Sequence, residues 1–490
     1  MNNNYLCFDA GTQSVKVAVY NSNGEQIAVN VNPTTINYPN DGWAEMNIDE
    51  YFNLALKGMK SCAEQLKAKN INLNSIKSIM GDGIICGIAG INEEGRAITQ
   101  YINYLDSRTQ NDAENLAKLN LNIWAEETGN PEPLCLFPAL FARWFLKNSE
   151  QTGNIKKFVH NAPYILMRLA NLKAEDAFID SGAMSGWGLG YNVIKKIWSD
   201  EQLNILGINK SLMPKILNAW DVIGNLSREA SEFTGLPEGI PICAGAGDTM
   251  QSLLACGVYL PGHAVDVAGT CSMFCISTDG IIPGLSKKGN NLIFNSGTLP
   301  NTYFYWGFVR TGGLALRWFR DNICNQPGND DYYKILSEGA KNIPAGSNGV
   351  RFLPYLTGGP DNFKNVKGCF INMNMNTDQF VLWRSVLEAI AGEYSEIAER
   401  CRNAGTSVDK IIITEGGSKD NLWNQIKADL IQAETVTLKT GGALALNSLV
   451  GAYAVGDLKD LREEINKNLI QTGSFIPGEK LNLPEIPFKV

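Results

Sequence analysis

The sequence predicts an α/β protein of two similarly built domains with a ligand cleft between them. Three observations carry this prediction. The turn Ala-Gly-Thr-x-Ser occurs twice, within FDAGTQSVK (Phe8 to Lys16) and within VAGTCS (Val267 to Ser272), and the first copy is led into by Tyr5, Leu6, Cys7 and Phe8 as by a buried strand. A chain of 490 residues exceeds the size at which one hydrophobic core stops growing, so two domains of about 200 residues or more are expected. Short apolar runs alternate with helical periods in both halves, the pattern of the α/β class.

In the first half, residues 5 to 9, 15 to 20 and 25 to 31 read as an antiparallel meander with Asn21 to Gly24 as a turn. A helix is predicted over residues 48 to 68, with Asn47 as its cap and Tyr51, Leu54, Ala55 and Met59 at helical spacing. A strand near Ile76 to Met80 follows. The second half opens at Ile240 with PICAGAGD, enters a helix from Thr249 to Cys256, and repeats the hairpin over Ala264 to Ser277. Leu387, Ile390, Ala391, Tyr394, Ile397 and Ala398 mark one face of a long helix over Val386 to Cys401, which Gly405 stops. The apolar strand Lys410 to Thr414 runs into Gly416-Gly417-Ser418 and a helix through Asp429, a geometry in which a helix N-terminus meets a ligand. The boundary is placed near residue 240, giving domains 1–240 and 241–490 with the site in the cleft between them.

Composition narrows the function. Apolar residues make up 44% and charged residues 19%, ordinary globular values. A net charge of -8 argues against a nucleic-acid partner or an anionic membrane surface, and leaves a small anionic ligand acceptable where local groups offset the field. The start MNNNYLCFDAG has neither the basic region nor the apolar core of a signal peptide, and no run is long enough for a membrane span. Eleven cysteines without a CxxC pair suit buried, reduced thiols and a cytoplasmic location. With only His160 and His263 present, both read as structural, and a general base is expected among the carboxylates. No GxxxxGK[ST] occurs, and no GxGxxG opens a helix after the first strand, so two common nucleotide folds are excluded.

The duplicated turn points to phosphate. Gly11 lets the backbone approach a bulky anion, and the turn's N–H groups with Thr12 and Ser14 suit phosphate oxygens. Asp9 suits magnesium held through water, since that ion keeps several waters and takes few carboxylates. One such turn alone is also explained as a plain hairpin; two copies facing each other make a two-sided clamp on a polyphosphate. Asp248, closing Gly245-Ala246-Gly247-Asp248 between a strand and a helix, either caps the helix that begins at Thr249 or accepts a proton from a substrate hydroxyl. Gly312, Gly313 and Arg317 in TGGLALRWFRD fit close helix packing or a ligand loop, and EGGSKDN at Glu415 to Asn421 suits a backbone turned around an adenine or ribose.

The segments DAGTQSVK, DGWAEMNIDEYF, NYLDSRT, GAGDTMQSLLACGV, AGTCS, GGLALRWF, FLPYLTGG, SVLEAIAG and GGSKDNLWNQIKADL occur in the order, and near the spacing, of the FGGY carbohydrate kinases, which the chain resembles over residues 5 to 455. The xylulokinase branch is the more similar one. The resemblance implies two actin-like, ribonuclease H-like ATPase domains with ATP and a sugar in the interdomain cleft, and the homodimer that the family often forms. It implies Asp248 as the base and Asp9 as the residue that organises Mg2+. Gly11, Thr12, Gln13, Ser14 and Lys16 would lie near the transferred phosphate, and Gly269 and Thr270 would contact phosphate from the other domain. Gly313, Arg317, Gly417, Ser418 and Asn421 would line the nucleotide. Asp106 matches an aspartate of the family's Trp-Asn-Asp segment near the sugar, alongside Ile85, Cys86 and Tyr104.

The departures from the family lie where the sugar should bind. Ile85-Cys86-Gly87 stands in place of Met-His-Gly, and Tyr104-Leu105-Asp106 in place of Trp-Asn-Asp. Both changes remove partners for sugar hydroxyls, which turns the expected substrate from D-xylulose itself towards another small sugar or polyol. Glu415 replaces a usual third glycine, and Ala139 a lysine. The RWFRDNIC segment also resembles the autoinducer-2 kinase branch, so an unusual hydroxylated substrate is an alternative. A nucleotide-binding sensor on the same fold is an alternative of another class, against which Asp248 stands because a binder needs no base.

Overall fold

The computed structural model describes residues 3–268, 272–309, 311–358, 366–439 and 442–486. Its first half begins with the expected meander: β1 (Asn4–Ala10), β2 (Ser14–Asn21) and β3 (Gln26–Pro33) pair antiparallel in sequence. α1 (Ile48–Ala68) follows, and the Asn47 side chain accepts the Asp49 N–H at 2.9 Å, the expected cap. Its apolar face lies close against β2, where a Cβ on Gly58 would come within 2.4 Å of Val17. β4 (Ile76–Gly83) pairs parallel with β1 and runs on past Met80, where the sequence pattern had placed its end.

The first sheet does not close at residue 240. β5 (Val222–Asn225), β6 (Pro241–Cys243) and β7 (Ala246–Gly247) all belong to it: β6 and β7 pair parallel with β4, and β5 pairs antiparallel with β6. The boundary near 240 therefore falls inside a sheet, because the partner of these strands lies far back in the chain at Ile79 to Gly83. The order is β5-β6-β4-β1-β2-β3, with β7 as a seventh strand on β4. α2 (Asp248–Ala255) leaves this sheet directly from β7.

The second half repeats the plan. β8 (His263–Val267) and β9 (Ser272–Thr278) form the second copy of the hairpin; β10 (Ile293–Ser296) and β11 (Tyr303–Val309) follow. Then come α3 (Gln379–Asn403), β12 (Lys410–Thr414), α4 (Asn421–Ile431), β13 (Glu434–Lys439), α5 (Gly442–Ala454) and β14 (Ile470–Phe475). The order β10-β11-β9-β8-β12-β13-β14 again sets an antiparallel trio, here with β10 added at its edge, beside two parallel strands and a final antiparallel one. β12 occupies in this sheet the place of β4 in the first, and α3 the place of α1. Among the described residues no helix is long and apolar enough to cross a membrane.

Two devices fix the halves. α5 reaches back to the first sheet, where Asn447 on it donates to the Phe8 carbonyl of β1 at 3.3 Å and accepts from Gln251 of α2 at 2.6 Å. Inside the second half, Lys427 of α4 pairs with Asp266 of β8 at 2.5 Å, both side chains being almost wholly buried. The ammonium also lies 3.5 Å from the ring centroid of Trp423. Removing one member of such a pair leaves an uncompensated buried charge, which costs more than the intact pair contributes. Lys427→Met is therefore expected to lower unfolding free energy by about 3–5 kcal/mol in urea denaturation, and adding Asp266→Asn to recover part of that loss.

Candidate active site

Three carboxylates are carried to the carboxyl end of the first sheet, the end at which parallel α/β sheets bind ligands. Asp9 is carried near the end of β1, Asp82 near the end of β4, and Asp248 follows β7; β4 lies between the other two strands. Asp9 and Asp82 stand opposite each other in the β1–β4 register, and their carboxyl groups meet. Burial raises the Asp9 carboxyl, an effect that Lys16, 3.9 Å away and half exposed, partly offsets. Asp82 is wholly buried. Burial holds its carboxyl well above the usual range, and the charges of Asp9 and Asp248 raise it further.

Asp248 is the first residue of α2, and the N-cap is Gly247, so Asp248 is not the cap that its position also allowed. Its Oδ1 accepts the N–H of Thr249 at 2.5 Å and the Thr249 hydroxyl at 3.2 Å. Burial pushes its carboxyl up to about 7, with the charge of Asp9 adding to the effect and the Thr249 bonds opposing it. A carboxylate so tuned takes up and releases protons near neutrality. Gly247 has no room for a side chain, since a Cβ there would stand 2.2 Å from Ile85 Cγ2.

The first Ala-Gly-Thr-x-Ser turn is held from three sides. Gly11 N–H donates to the Ser14 carbonyl at 3.1 Å, Tyr51 hydroxyl to the Gly11 carbonyl at 3.1 Å, and Asn161 Nδ2 to the Ala10 carbonyl at 2.7 Å. Thr34 closes its back, with its N–H on the Gln13 carbonyl at 3.1 Å and its hydroxyl on the Thr12 carbonyl at 2.6 Å. Gln13 and Lys16 are left exposed, while Thr12 Oγ1 and Tyr104 hydroxyl share a hydrogen bond of 3.0 Å.

The four residues expected near the sugar divide. Ile85 and Cys86 lie beside Asp248: Ile85 packs on Gly247, and the Cys86 thiol, pushed up to about 12 by burial and then by the Asp248 charge, stays un-ionised. Tyr104 reaches the first turn. Asp106 differs from expectation, being buried with its oxygens taken by Ala44 N–H at 2.7 Å and by Arg108 at 2.7 to 3.0 Å. It supports Arg108, which also bonds Glu45 at 2.8 Å and lies 3.7 Å from the ring centroid of Trp43 and 4.6 Å from that of Trp144. The structural reason is charge pairing two residues along the chain, which leaves Asp106 no oxygen for a sugar.

On the opposite side, two glycine turns converge on the second copy of the motif. Gly417 N–H donates to the Ala268 carbonyl at 3.2 Å, and a Cβ on Gly417 would stand 2.3 Å from Ala268. Gly312 lies equally close to Ser272, and Gly313 and Arg317 follow in the helix Gly312–Trp318, Arg317 exposed. Ser418 bonds the Glu415 carbonyl, and Asn421 opens α4 at the surface. Gly269 and Thr270 lie outside the described residues. Glu415 adopts φ 61° and ψ -157°, a conformation essentially confined to glycine.

Sequence reasoning missed Asp82, Tyr51 and Asn161. A signal for Asp82 existed: Gly81-Asp82-Gly83 ends a strand parallel to β1, but the apolar pattern that marked the strand stops at Met80. A surface cleft of about 380 Å³ lined by Asn3, Lys77, Glu238 and Asp457 lies at the amino end of the same strands and contains none of these residues.

The model of the N-terminal domain of the FGGY family of carbohydrate kinases matches residues 4–255, and that of its C-terminal domain matches residues 264–455. A xylulose kinase of Staphylococcus xylosus is 27% identical over 446 residues, covering 88% of this chain and 86% of that protein. Among solved structures, xylulose kinase from Rhodospirillum rubrum superposes with a TM-score of 0.86 at 22% identity, covering 97% of this chain and 94% of that one. Plasmodium falciparum glycerol kinase with ADP also gives 0.86, at 20% identity and with 98% and 94% covered. The two-domain α/β fold with an actin-like plan agrees with these structures.

The state of Asp248 has a consequence for stability. Its folded value of about 7 lies above an unfolded value of about 3.9, so ionisation opposes folding: the cost is absent below the lower value, grows between the two, and is complete above the upper. Asp248→Asn is expected to melt higher than the wild type, by a margin that widens from pH 4 to pH 7 and is level above it. Thermal melts across that range measure this.

Proposed function

The chain belongs to the FGGY family of carbohydrate kinases, and from that premise we propose that it transfers the terminal phosphoryl group of ATP to a primary hydroxyl of a small sugar or polyol, with Asp248 as the general base. The observation that carries the assignment of the base is the place of Asp248 at the carboxyl end of the sheet, beside Ile85 and Cys86 and with a carboxyl pushed up to about 7. As the acceptor oxygen forms its bond to phosphorus and the bond to the ADP oxygen breaks, Asp248 takes the hydroxyl proton. Such transfers need little covalent help, so positioning and charge stabilisation supply most of the catalysis.

The remaining residues have defined work in this reading. The first turn, held by Tyr51, Asn161 and Thr34, presents Thr12, Gln13, Ser14 and Lys16 to the transferred phosphate. The glycine turns around Gly312 and Gly417, with Arg317, Ser418 and Asn421, receive the nucleotide from the second half. Mg2+ when bound would offset phosphate charge, and Asp9 would hold it. The site fits such an ion on its own observation: Asp9 and Asp82 meet in a buried setting, and Asp82 Oδ1 has no hydrogen-bond donor.

The acceptor wall of Ile85 and an un-ionised Cys86 offers few strong partners for hydroxyls. A site of this kind discriminates weakly among acceptors that differ in hydroxyl configuration. The acceptor is therefore found by panel. Purified protein with Mg-ATP and a series of ketoses, polyols and autoinducer-like diols, followed by ADP release, is expected to show turnover with at least one. ATP binding without stimulated turnover by any of them would favour a sensor instead.

On an active acceptor, Asp248→Asn is expected to lower kcat by about 10²- to 10⁴-fold while ATP affinity is kept. Full turnover by that variant would remove Asp248 from the role. The wild-type kcat/KM is expected to fall with unit slope below about pH 7, or below a lower midpoint when a divalent cation offsets the charge of Asp9.

A further inference from the structure

We infer that Asp82 and Asp9 together form a two-carboxylate seat for a divalent cation, one that takes the ion before the nucleotide arrives. The inference rests on the kinase reading above and adds to it a residue that the reading does not need. Asp82 is wholly buried on β4, the strand that lies between those carrying Asp9 and Asp248. Its Oδ2 accepts from Asn447 Nδ2 at 2.9 Å, while its Oδ1 is buried with no donor. The side chain meets the Asp9 carboxyl, so the two acid groups face each other.

This arrangement is unfavourable as it stands. A buried acceptor without a partner costs on the order of 1–3 kcal/mol, more when it carries charge. Two carboxylates in contact resist ionising together. Either a shared proton or a cation relieves both problems, and Lys16 does not serve as that cation: its ammonium stands 3.9 Å from Asp9 Oδ2, is half exposed, and lies on the β2 side of β1, away from β4. A divalent ion between the two groups satisfies Oδ1 and removes the repulsion at once.

A second feature, independent of the acids, fixes the direction in which Asp82 points. Thr298 hydroxyl donates to Gln251 Oε1 at 3.0 Å, Gln251 Nε2 to Asn447 Oδ1 at 2.6 Å, and Asn447 Nδ2 to Asp82 Oδ2. All four side chains are buried. No helix or sheet ladder uses these bonds. Their effect is to bind one oxygen of Asp82 and leave the other without a partner, as groups behind a metal ligand do when they set its orientation. Mg2+ takes one or two carboxylates and fills its other positions with water and phosphate, so a pair suffices. The relay begins in the loop after β10 of the second half and passes through α2 and α5, so the seat is complete only when the two halves are packed together.

The test reads the ion directly. The full-length chain is titrated with MnCl2 in nucleotide-free buffer, and free Mn2+ is followed by electron paramagnetic resonance. The wild type is expected to bind one Mn2+ per chain, and Asp82→Asn to weaken that binding at least tenfold. Asn447→Ala is expected to weaken it by a smaller factor, because the ligand remains and only its orientation is loosened. Circular dichroism melts establish that each variant is folded, and Asp82→Ser takes the place of Asp82→Asn if the latter is not. Wild-type Mn2+ affinity in a folded Asp82 variant overturns the inference, as does a wild type that binds no Mn2+ at millimolar concentration without nucleotide. The measurement involves neither acceptor nor turnover. An active kinase whose Asp82 variant binds Mn2+ normally therefore sinks this inference alone, and a chain that binds Mn2+ through Asp82 but phosphorylates nothing sinks the functional reading alone.

Discussion

The structure depends on bringing acid groups from three distant parts of the chain to one end of one sheet, where one is wholly and two are partly buried. Asp82 lies on β4, and the strands that pair with β4 carry Asp9 near the end of β1 and lead into Asp248 just after β7. Packing them together raises all three carboxyls through lost hydration, and the charge of Asp9 adds to the effect on Asp82 and Asp248. A fold selected for stability alone would not collect them. Local strain and repulsion of this kind is kept where it serves a site, and the surrounding structure has to hold it in place.

The holding is visible around the acids. β1, β4 and β7 are fixed by backbone pairing, so the carboxylates cannot separate without breaking the sheet. Asn161 ties the end of β1 from the amino end of a neighbouring helix, and Tyr51 ties the turn from α1. α5, which comes from the second half of the sequence, lies against β1 and β4 and supplies Asn447. The second half thus closes the first half's sheet and orients one of its acids, which makes the two domains interdependent although each carries its own seven-stranded sheet.

What was legible in the sequence follows from which interactions are local. The meander, the Asn47 cap of α1, the strand Lys410–Thr414 with its glycine turn, and the strand-to-helix position of Asp248 are all written in spacings of a few residues. The extension of the first sheet past residue 240 is not, because β6 and β7 look like the start of a new unit until their pairing with β4 is seen. Asp82 was hidden by the same gap, since the apolar pattern of its strand stops before it. Asp106 shows the opposite error: its place in a motif was clear, but only the fold reveals that Arg108 and Ala44 take its oxygens. Motif position tells which residues are near a site, and hydrogen-bond bookkeeping tells which of them are free to act.

The two halves share a plan and differ in how they treat charge, and in the proposed reading that difference marks the half that supplies the base. In the first, Asp9 stands directly before the Ala-Gly-Thr turn with only a loosely placed Lys16 opposing it. In the second, Val267 occupies the equivalent place and the acid is Asp266, one residue earlier. Alternation along a strand turns Asp266 to the other face of the sheet, where Lys427 neutralises it and the Trp423 ring covers the ammonium. A buried acid whose charge is neutralised in this way supports a fold, although its Oδ1, like that of Asp82, has no hydrogen-bond partner. The acids of the first half are incompletely compensated, and in the proposed reading a cation and the proton of a substrate hydroxyl would meet that remaining demand for positive charge.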